Sequence, residues 1–164
     1  MGERCFMLKS THRILLEEVK KIRKRLSKEI TKELSQSYET GGQWHDNPQW
    51  DYMLQDQQRL AEKLRKILSA LRSVALIDDL PVKGDRVTIG VEIQVEDETG
   101  QKESYKIVGS LDMEYNFLCR KKGFISYQAP LARQLMGKSL DEEITVMLPV
   151  KKRRLIILAI RPLH

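Results

Sequence analysis

The residues with the most evident chemical potential lie in a short polar segment, residues 38–47, between two long helical patterns. In this segment His45 stands directly before Asp46, and imidazole beside carboxylate resembles a mixed metal-ligand pair. Imidazole suits transition metals, and two adjacent ligands alone are weak evidence for a metal site. We therefore interpret His45 as a solvated side chain. Asp46 precedes Asn47 and Pro48 and is well placed to cap the amides of a following helix.

Two tryptophans, Trp44 and Trp50, flank the same segment. Large apolar side chains at an exposed turn need a surface to pack on, either locally or on a partner. We favour a local cluster of Trp50 with Tyr38 and Met53. The alternative is that the tryptophans wedge into a partner and act by obstruction.

The rest of the chain lacks the motifs of an independent catalyst. No Ser/His/Asp constellation, phosphate-binding glycine loop or zinc-ligand spacing is visible in the sequence. The two cysteines, Cys5 and Cys119, cannot form a disulfide framework and fit a reducing compartment. We expect no enzyme activity of its own and no cofactor of its own.

Composition indicates an ordinary globular protein of one domain or two small ones. The 164 residues are 41% apolar and 32% charged, with a formal net charge of +6. The longest aliphatic run, residues 155–160, is too short to cross a bilayer, so we expect a cytoplasmic protein without membrane contact. The basic excess lies in the first helical pattern, where it is either a solvated face or a contact for nucleic acid or an acidic protein surface.

Two helices are needed to position the polar segment. Residues 10–36 form the first pattern, with Ser10 as N-cap, and a second pattern runs over residues 48–76. The apolar stripes are Leu15, Val19, Ile22, Leu26, Ile30 and Leu34 in the first, and Leu60, Leu64, Ile67, Leu71 and Val74 in the second. Gly41 and Gly42 permit a reversal between them. We predict an antiparallel coiled-coil hairpin over residues 1–78, about 40 Å long, with its tip at residues 41–47; pairing with a second copy as a four-helix bundle is the alternative to a monomer.

After Pro81 the period changes from that of a helix to that of a strand. Residues 87–95 alternate apolar and polar, residues 96–100 form a turn, and further strands are expected at residues 103–108, 144–148 and 155–160. Residues 130–136 indicate a short helix that ends at Gly137. The fold class is therefore α+β, with a small antiparallel-sheet domain over residues 79–164.

Several phrases of the second domain, together with the phrase at residues 75–79 that joins the two domains, occur in a recognisable order. They are residues 75–79 (ALIDD), 87–88 (VT), 105–109 (YKIVG), 125–126 (IS), 129–133 (APLAR) and 135–138 (LMGK). In this order they resemble the Gre family of bacterial transcript cleavage factors. The resemblance implies an FK506-binding-protein-like fold for the sheet domain. It also implies that the hairpin enters the secondary channel of RNA polymerase, near the nascent RNA and the DNA.

The family carries two acids at the hairpin tip in the pattern G-D-L-x-E-N-x-E-Y, and the resemblance implies that they help polymerase hold a second Mg²⁺. On this chain the pattern starts at Gly42 and keeps Asn47, but Gln43 replaces the first acid and Asp46 the second. Gln offers Mg²⁺ only a neutral oxygen, and Asp is shorter than Glu. Asp46 is thus a tip carboxylate that ligates Mg²⁺ only together with polymerase, or it is only a helix cap.

The resemblance leaves two functions open. The protein is either a stimulator of RNA cleavage with a weakened tip or an inhibitor of polymerase that does not stimulate cleavage. The nearby acids Glu39 and Asp51 are the other candidates for replacing the lost carboxylate, although Asp51 lies inside the second helix.

The resemblance also implies a docking surface for polymerase in the second domain. It consists of Ser126, Pro130, Leu131, Ala132, Arg133, Gly137 and Lys138. Pro130 would fix the backbone and Leu131 would offer an apolar anchor. The basic run at residues 151–154 is interpreted as a hairpin turn that lies near acidic protein or nucleic acid.

Two other classes of function are alternatives to this one. A peptidyl-prolyl isomerase would need an aromatic-lined pocket, for which Tyr105, Tyr115, Phe117, Phe124 and Tyr127 are the candidates; fold alone does not confer that activity. A DNA-binding module would use the basic first helix.

Overall fold

A computed structural model describes residues 5–39, 48–81, 84–149 and 152–163. Contacts divide the chain into two units: Met1–Arg13 with Val74–His164, here called the sheet unit, and Ile14–Ser73, here called the helical unit. No helix in the described ranges is long and apolar enough to cross a membrane.

The helical unit consists of two long helices, α1 (Lys9–Glu39) and α2 (Pro48–Arg72); the first turn of α1 belongs to the sheet unit. At 1.5 Å per residue, the 31 residues of α1 measure about 46 Å and the 25 residues of α2 about 38 Å. The pairing is antiparallel, because partners that advance along α1 recede along α2. Glu18 pairs with Lys63 at 2.7 Å, and Arg25 pairs with Asp56 at 2.5 Å.

Among the side chains that the structure describes, five in the apolar seam between α1 and α2 are buried. These are Leu15, Val19, Ile22, Leu60 and Ile67. The 3.6-residue period thus predicted the buried face of both helices. Ile30, placed on the same stripe by its spacing, is 51% exposed.

The second helix ends earlier than its apolar period suggests. It stops at Arg72, and Val74–Leu76 form strand β2, which pairs in parallel with β1 (Cys5–Met7). A strand pairing across such a sequence distance leaves no local periodic signal. It also assigns the start of the chain to the sheet unit, so the helical unit is shorter at both ends than the predicted 1–78.

The sheet unit contains a second sheet of five strands. They are β3 (Val91–Asp97), β4 (Lys102–Val108), β5 (Phe124–Ser126), β6 (Glu143–Met147) and β7 (Lys152–Pro162), in the spatial order β5-β4-β3-β7-β6. Three of the neighbouring pairs are antiparallel, but β4 and β5 are parallel. The prediction of a wholly antiparallel sheet is therefore wrong at this edge. The cause is the crossover between β4 and β5, formed by α3 (Ser110–Tyr115) and a 3₁₀ turn at Phe117–Arg120.

Strand β3 begins four residues later than the alternation of residues 87–95 predicts. Val87 and Ile89 are buried as expected, but Gly90 has φ +86° and interrupts the extended backbone before Val91. A Cβ on Gly90 would lie 2.5 Å from Cγ2 of Ile77, so glycine is required here on two counts. From Val91 onward the alternation holds, and Val91, Ile93 and Val95 face the core.

The free edge of β6 is covered by one side chain from α4 (Pro130–Leu135). The carboxamide of Gln134 accepts a hydrogen bond from the Met147 amide at 2.8 Å and donates one to the Met147 carbonyl at 2.9 Å. It reproduces the two hydrogen bonds that a neighbouring strand would make. This protects one position of an edge strand from pairing with another chain.

Candidate functional site

The predicted tip residues lie outside the described part of the chain. Gly42, Gln43, Trp44, His45, Asp46 and Asn47 all fall within residues 40–47, between the last residue of α1 and the first of α2. The flanking Asp51 lies in the first turn of α2 and is exposed. Over residues 5–39, 48–81, 84–149 and 152–163, no group of three or more His, Cys, Asp or Glu side chains could hold a metal ion.

Asp56 fixes the register of α2 against α1. Its carboxylate is only 9% exposed and accepts hydrogen bonds from Arg25 at 2.5 Å and from Arg59 at 2.6 Å. Because Arg25 is on α1 and Asp56 on α2, the ion pair ties the two helices together. A buried carboxylate left without its partners is strongly unfavourable, so this cluster disfavours sliding of one helix along the other.

The predicted docking residues lie on and around α4. Pro130 occupies the first turn of the helix and is exposed, as is Arg133. Gly137 has φ +80°, which suits its predicted place at the helix end. Leu131 is partly buried against the core, which leaves part of its surface open.

Three other members of the predicted docking set are engaged within the protein. Ala132 is completely buried, so its methyl group packs into the core and cannot touch a partner. The Lys138 ammonium pairs with Glu142 at 2.7 Å, which lowers the pKa of that carboxyl. The Ser126 hydroxyl accepts a hydrogen bond from the Gln128 amide at 3.2 Å. Of the predicted docking residues, Pro130, Arg133 and Gly137 are therefore exposed, together with part of Leu131 and of Lys138.

A buried aspartate that the sequence analysis did not single out joins the chain start to α3. Asp112 is fully buried, and its carboxylate accepts hydrogen bonds from the amides of Leu8 at 3.0 Å and Gly109 at 2.8 Å, and from the Thr11 hydroxyl. Burial raises the pKa of Asp112, and these hydrogen bonds oppose the rise. An Asp three residues after a Gly could signal such a helix cap, but its partners around residue 8 are too distant in sequence to be foreseen.

Gly109 itself allows the two segments to approach closely. A Cβ at this position would lie 1.8 Å from the carbonyl oxygen of Phe6, so no other residue fits without moving the backbone. The predicted YKIVG phrase thus ends on a glycine that has a packing role. Because Gly109 has no side chain, β1 can pack closely against the end of β4.

The basic run at residues 151–154 does not form the predicted turn over its described residues. Lys152, Arg153 and Arg154 all belong to β7. Arg153 is 15% exposed and pairs with Asp97 at 3.0 Å and Glu103 at 3.2 Å. Hydrogen bonds from Thr99 to Asp97 and from Tyr105 to Glu103, together with these two pairs, lower the pKa of both carboxyls. Its charge is neutralised inside the sheet unit, so Arg153 is not free to contact nucleic acid.

The aromatic residues considered for an isomerase pocket have separate surroundings. The Tyr105 hydroxyl donates to Glu103, and burial together with this bond raises the pKa of Tyr105 to about 12. Tyr127 packs edge-on against Phe6 with ring centroids 5.8 Å apart, whereas Phe117 is 75% exposed. These contacts give no support to an aromatic-lined catalytic pocket.

The chain is thus a two-unit α+β protein, with an antiparallel pair of helices joined to a small mixed sheet, and comparisons with known proteins identify its family. A family model described as "Transcription elongation factor, GreA/GreB, C-term" matches residues 82–162. Transcription elongation factor GreA of Nitratidesulfovibrio vulgaris (strain DP4) is 31% identical over 121 residues, covering 73% of this chain and 71% of that protein. GreA of Chlorobaculum tepidum is 25% identical over 151 residues, covering 91% of each. GreB of Haemophilus ducreyi is 26% identical over 152 residues, covering 93% of this chain and 90% of that protein.

The chain belongs to the GreA/GreB family of transcription elongation factors. The matches to whole relatives extend over both the helical and the sheet unit, so the resemblance noted from the sequence of the second domain is confirmed.

Proposed function

We propose that this protein binds bacterial RNA polymerase and regulates elongation by inserting its helical hairpin into the secondary channel. It acts on the polymerase active site as a regulator and performs no catalysis alone. In this role it works in the cytoplasm as a monomer, close to the nascent RNA and the DNA but in direct contact with polymerase.

The antiparallel pairing of α1 and α2 is the observation that carries this proposal. The ion pairs Glu18–Lys63 and Arg25–Asp56 fix the helices in opposite directions, so the end of α1 and the start of α2 lie at the same end of the hairpin. Residues 40–47 connect these two ends, and they include the positions where the family pattern places its acids. The hairpin is long enough, about 40 Å, to reach into a channel.

For the sheet unit we propose the docking role that the family resemblance implies. Pro130 and Arg133 are exposed on α4, and Leu131 retains an open apolar surface. Arg133 would pair with an acidic surface of polymerase while Leu131 anchors beside it. We assign the five-stranded sheet to the FK506-binding-protein-like class, supported by its antiparallel centre and the packing of α4 residues Ala132 and Leu135 into its core.

The donor set at the tip does not fit an independent Mg²⁺ site. This chain offers there one carboxylate, Asp46, and the neutral amide of Gln43, whereas Mg²⁺ favours charged oxygen ligands. We therefore propose that Asp46 contributes to a Mg²⁺ site only jointly with ligands of polymerase. The expected activity is regulation of elongation with weak or absent stimulation of RNA cleavage.

Backtracked elongation complexes with end-labelled RNA test this function. We expect the protein to bind the complexes and slow synthesis, and we expect Arg133→Glu to weaken binding by about tenfold, as for loss of an anchoring charge at an interface. Arg154→Glu changes an exposed arginine on β7 of the same unit and serves as the matched control. If polymerase does not bind the wild-type protein, the proposal fails.

A second set of variants distinguishes stimulation of RNA cleavage from occlusion of the secondary channel without cleavage. Gln43→Asp restores a carboxylate at the first acidic position and should increase RNA shortening above the wild-type level. Any shortening by the wild-type protein should disappear in Asp46→Ala but persist in His45→Ala. Equal shortening by wild type and Asp46→Ala would contradict the role given to this carboxylate.

A further inference from the structure

Two neighbouring apolar side chains of the sheet unit are exposed to an unusual degree. Phe117 is 75% exposed and Leu118 is 58% exposed, both in the 3₁₀ turn Phe117–Arg120 that connects α3 to β5. Scattered exposed apolar residues are normal, but an adjacent aromatic and aliphatic pair on a fixed turn is a typical anchor for a partner.

The turn is held rigidly by Asn116. Its side-chain oxygen accepts a hydrogen bond from the Leu118 amide at 3.1 Å, while its nitrogen donates to the Ser10 and Thr11 hydroxyls, both at 3.1 Å. Cys119, which follows Leu118 in the turn, is buried, and burial raises the pKa of its thiol to about 11. The two exposed side chains therefore need little ordering on binding, which favours affinity.

A hollow of about 410 Å³ lies beside the turn. Leu118 lines it together with Leu8, Phe124 and Leu163, and the Lys106 ammonium stands 5.2 Å from the centre of the Phe124 ring. The lining thus combines four large apolar side chains with one cation, and Ser10, Asp78 and Asn116 are its other polar members. This volume suits one or two apolar side chains of a partner.

Three exposed cations lie close in sequence to the hollow. Arg120, Lys121 and Lys122 occupy the stretch between two of its lining residues, Cys119 and Phe124, and Lys106 itself lines it. Among the described residues, no carboxylate forms an ion pair with Lys106, Lys121 or Lys122; the acid in the lining, Asp78, accepts a hydrogen bond from the Lys9 amide at 2.7 Å. Unpaired cations around an apolar centre are complementary to a partner with carboxylates around apolar side chains.

We propose that Phe117, Leu118, Lys106 and the cations at residues 120–122 form a second protein-binding surface, here called the crossover surface, whose partner is a net-negative protein segment with apolar side chains. The partner seats an apolar side chain in the hollow against Leu118 and Phe124. Its carboxylates pair with the lysines at the border. This surface is distinct from the α4 segment proposed to dock on polymerase, and it stands whether or not that docking is correct.

The composition of the hollow favours protein over other anionic partners. The leucines of the lining, Leu8, Leu118 and Leu163, offer no hydrogen bonds to base edges, whereas an apolar side chain of a protein can pack on them. A membrane surface would be met by a protruding apolar face, whereas the apolar residues here line a concavity.

Differential peptide selection tests the crossover surface. The full-length protein is used to select from a phage-displayed library of random 12-residue peptides, with counter-selection on the double variant Phe117→Ser/Leu118→Ser. We expect the enriched peptides to be net negative and to contain at least two aliphatic or aromatic residues. A synthetic peptide of the most enriched sequence then gives the dissociation constant by fluorescence anisotropy.

Matched variants identify the residues responsible. The Phe117→Ser/Leu118→Ser variant should weaken peptide binding by about tenfold or more, as expected for loss of an apolar anchor. Lys121→Glu/Lys122→Glu should weaken it and flatten its dependence on salt. Met147→Ser removes another exposed apolar side chain of the same unit, 54% exposed on β6, and should leave the affinity unchanged.

Several results would overturn the inference. These are no peptide that prefers the wild type over the double variant, enriched peptides without acidic residues, or equal affinity for the Met147→Ser and Phe117→Ser/Leu118→Ser variants. Binding of a 12-nucleotide single-stranded DNA or of phosphatidylglycerol vesicles, lost in the same double variant, would assign the surface to those partners instead. Since the charge-reversal variant leaves the apolar turn intact, it decides the question if the double variant does not fold.

Discussion

Replacing Asp112 should lower the free energy of unfolding of the sheet unit by an amount that follows from its buried hydrogen bonds. In Asp112→Ala the amides of Leu8 and Gly109 lose their acceptor in a buried position. An unsatisfied buried group costs about 1–3 kcal/mol, and the loss is partly offset because the desolvated carboxylate is also removed. We therefore expect the free energy of unfolding to fall by about 3 kcal/mol. Glu114→Ala, an exposed position on the same helix, should change it by less than about 0.5 kcal/mol.

The assay has two parts, urea unfolding followed by circular dichroism and amide hydrogen exchange followed by NMR. In Asp112→Ala the Leu8 and Gly109 amides should exchange much faster than in the wild type, ahead of the core amides of β3. A loss below about 1 kcal/mol, or unchanged protection of both amides, would refute the reasoning.

The pH dependence of Asp112→Asn provides an independent check on the direction in which folding shifts the pKa of Asp112. Burial raises the pKa of Asp112 in the folded protein above its ordinary value of 3.8. For an acid whose folded pKa is raised, the stabilising contribution is fully present below the unfolded pKa and is lost as pH rises through the folded pKa. The wild type should therefore gain stability relative to Asp112→Asn as the pH is lowered from 7 towards 4. A constant difference over that range would show that burial does not dominate the titration.

Three further substitutions test the packing of the sheet unit. Gly109→Ala should prevent the native approach of β1 and give little folded protein, as judged by amide spectra. Arg153→Met should lower the urea midpoint more than Arg154→Met, because only the first arginine is largely buried and paired with two carboxylates. Hydrogen bonds from Thr99 and Tyr105 and the two Arg153 pairs lower the pKa values of those carboxyls, so this difference should shrink as the pH falls below 4.5, where the carboxylates begin to protonate in the unfolded chain. Gln134→Ala should speed exchange of the Met147 amide and increase self-association at the uncovered edge, measured by light scattering.

Local patterns were sufficient to predict the elements whose burial is periodic. The spacing of Leu15, Val19 and Ile22 predicted the buried face of α1, and the alternation around Ile93 predicted the inner face of β3. These predictions succeed because each depends on residues fewer than about ten positions apart. The GreA/GreB family was also recognisable, because each phrase that carries it is a short run of neighbouring residues and the phrases follow in order along the chain.

Features that depend on distant partners could not be predicted from the sequence. The pairing of β1 with β2 joins residues some seventy positions apart, and the charge of Arg153 was read as surface charge because its carboxylate partners lie on other strands. Ala132 was included in the docking set from its place in a motif, whereas the helix turns it into the core. The roles of Asp46 and Gln43 remain predictions from the family pattern, tested by the cleavage variants above.

The pairing of Cys5–Met7 with Val74–Leu76 means that the helices leave and return to the same small parallel ladder. In the order of the chain, the helical unit is therefore an insertion into the sheet unit. Asp112 and Asn116 hold residues 8–11, which belong to the sheet unit and directly precede this insertion. A gene split between residues 43 and 44 should accordingly yield two fragments that recombine into one species during gel filtration. Shortening both helices by equal numbers of turns should leave the sheet unit folded. The length of the hairpin could then be changed without altering the docking surface proposed on α4.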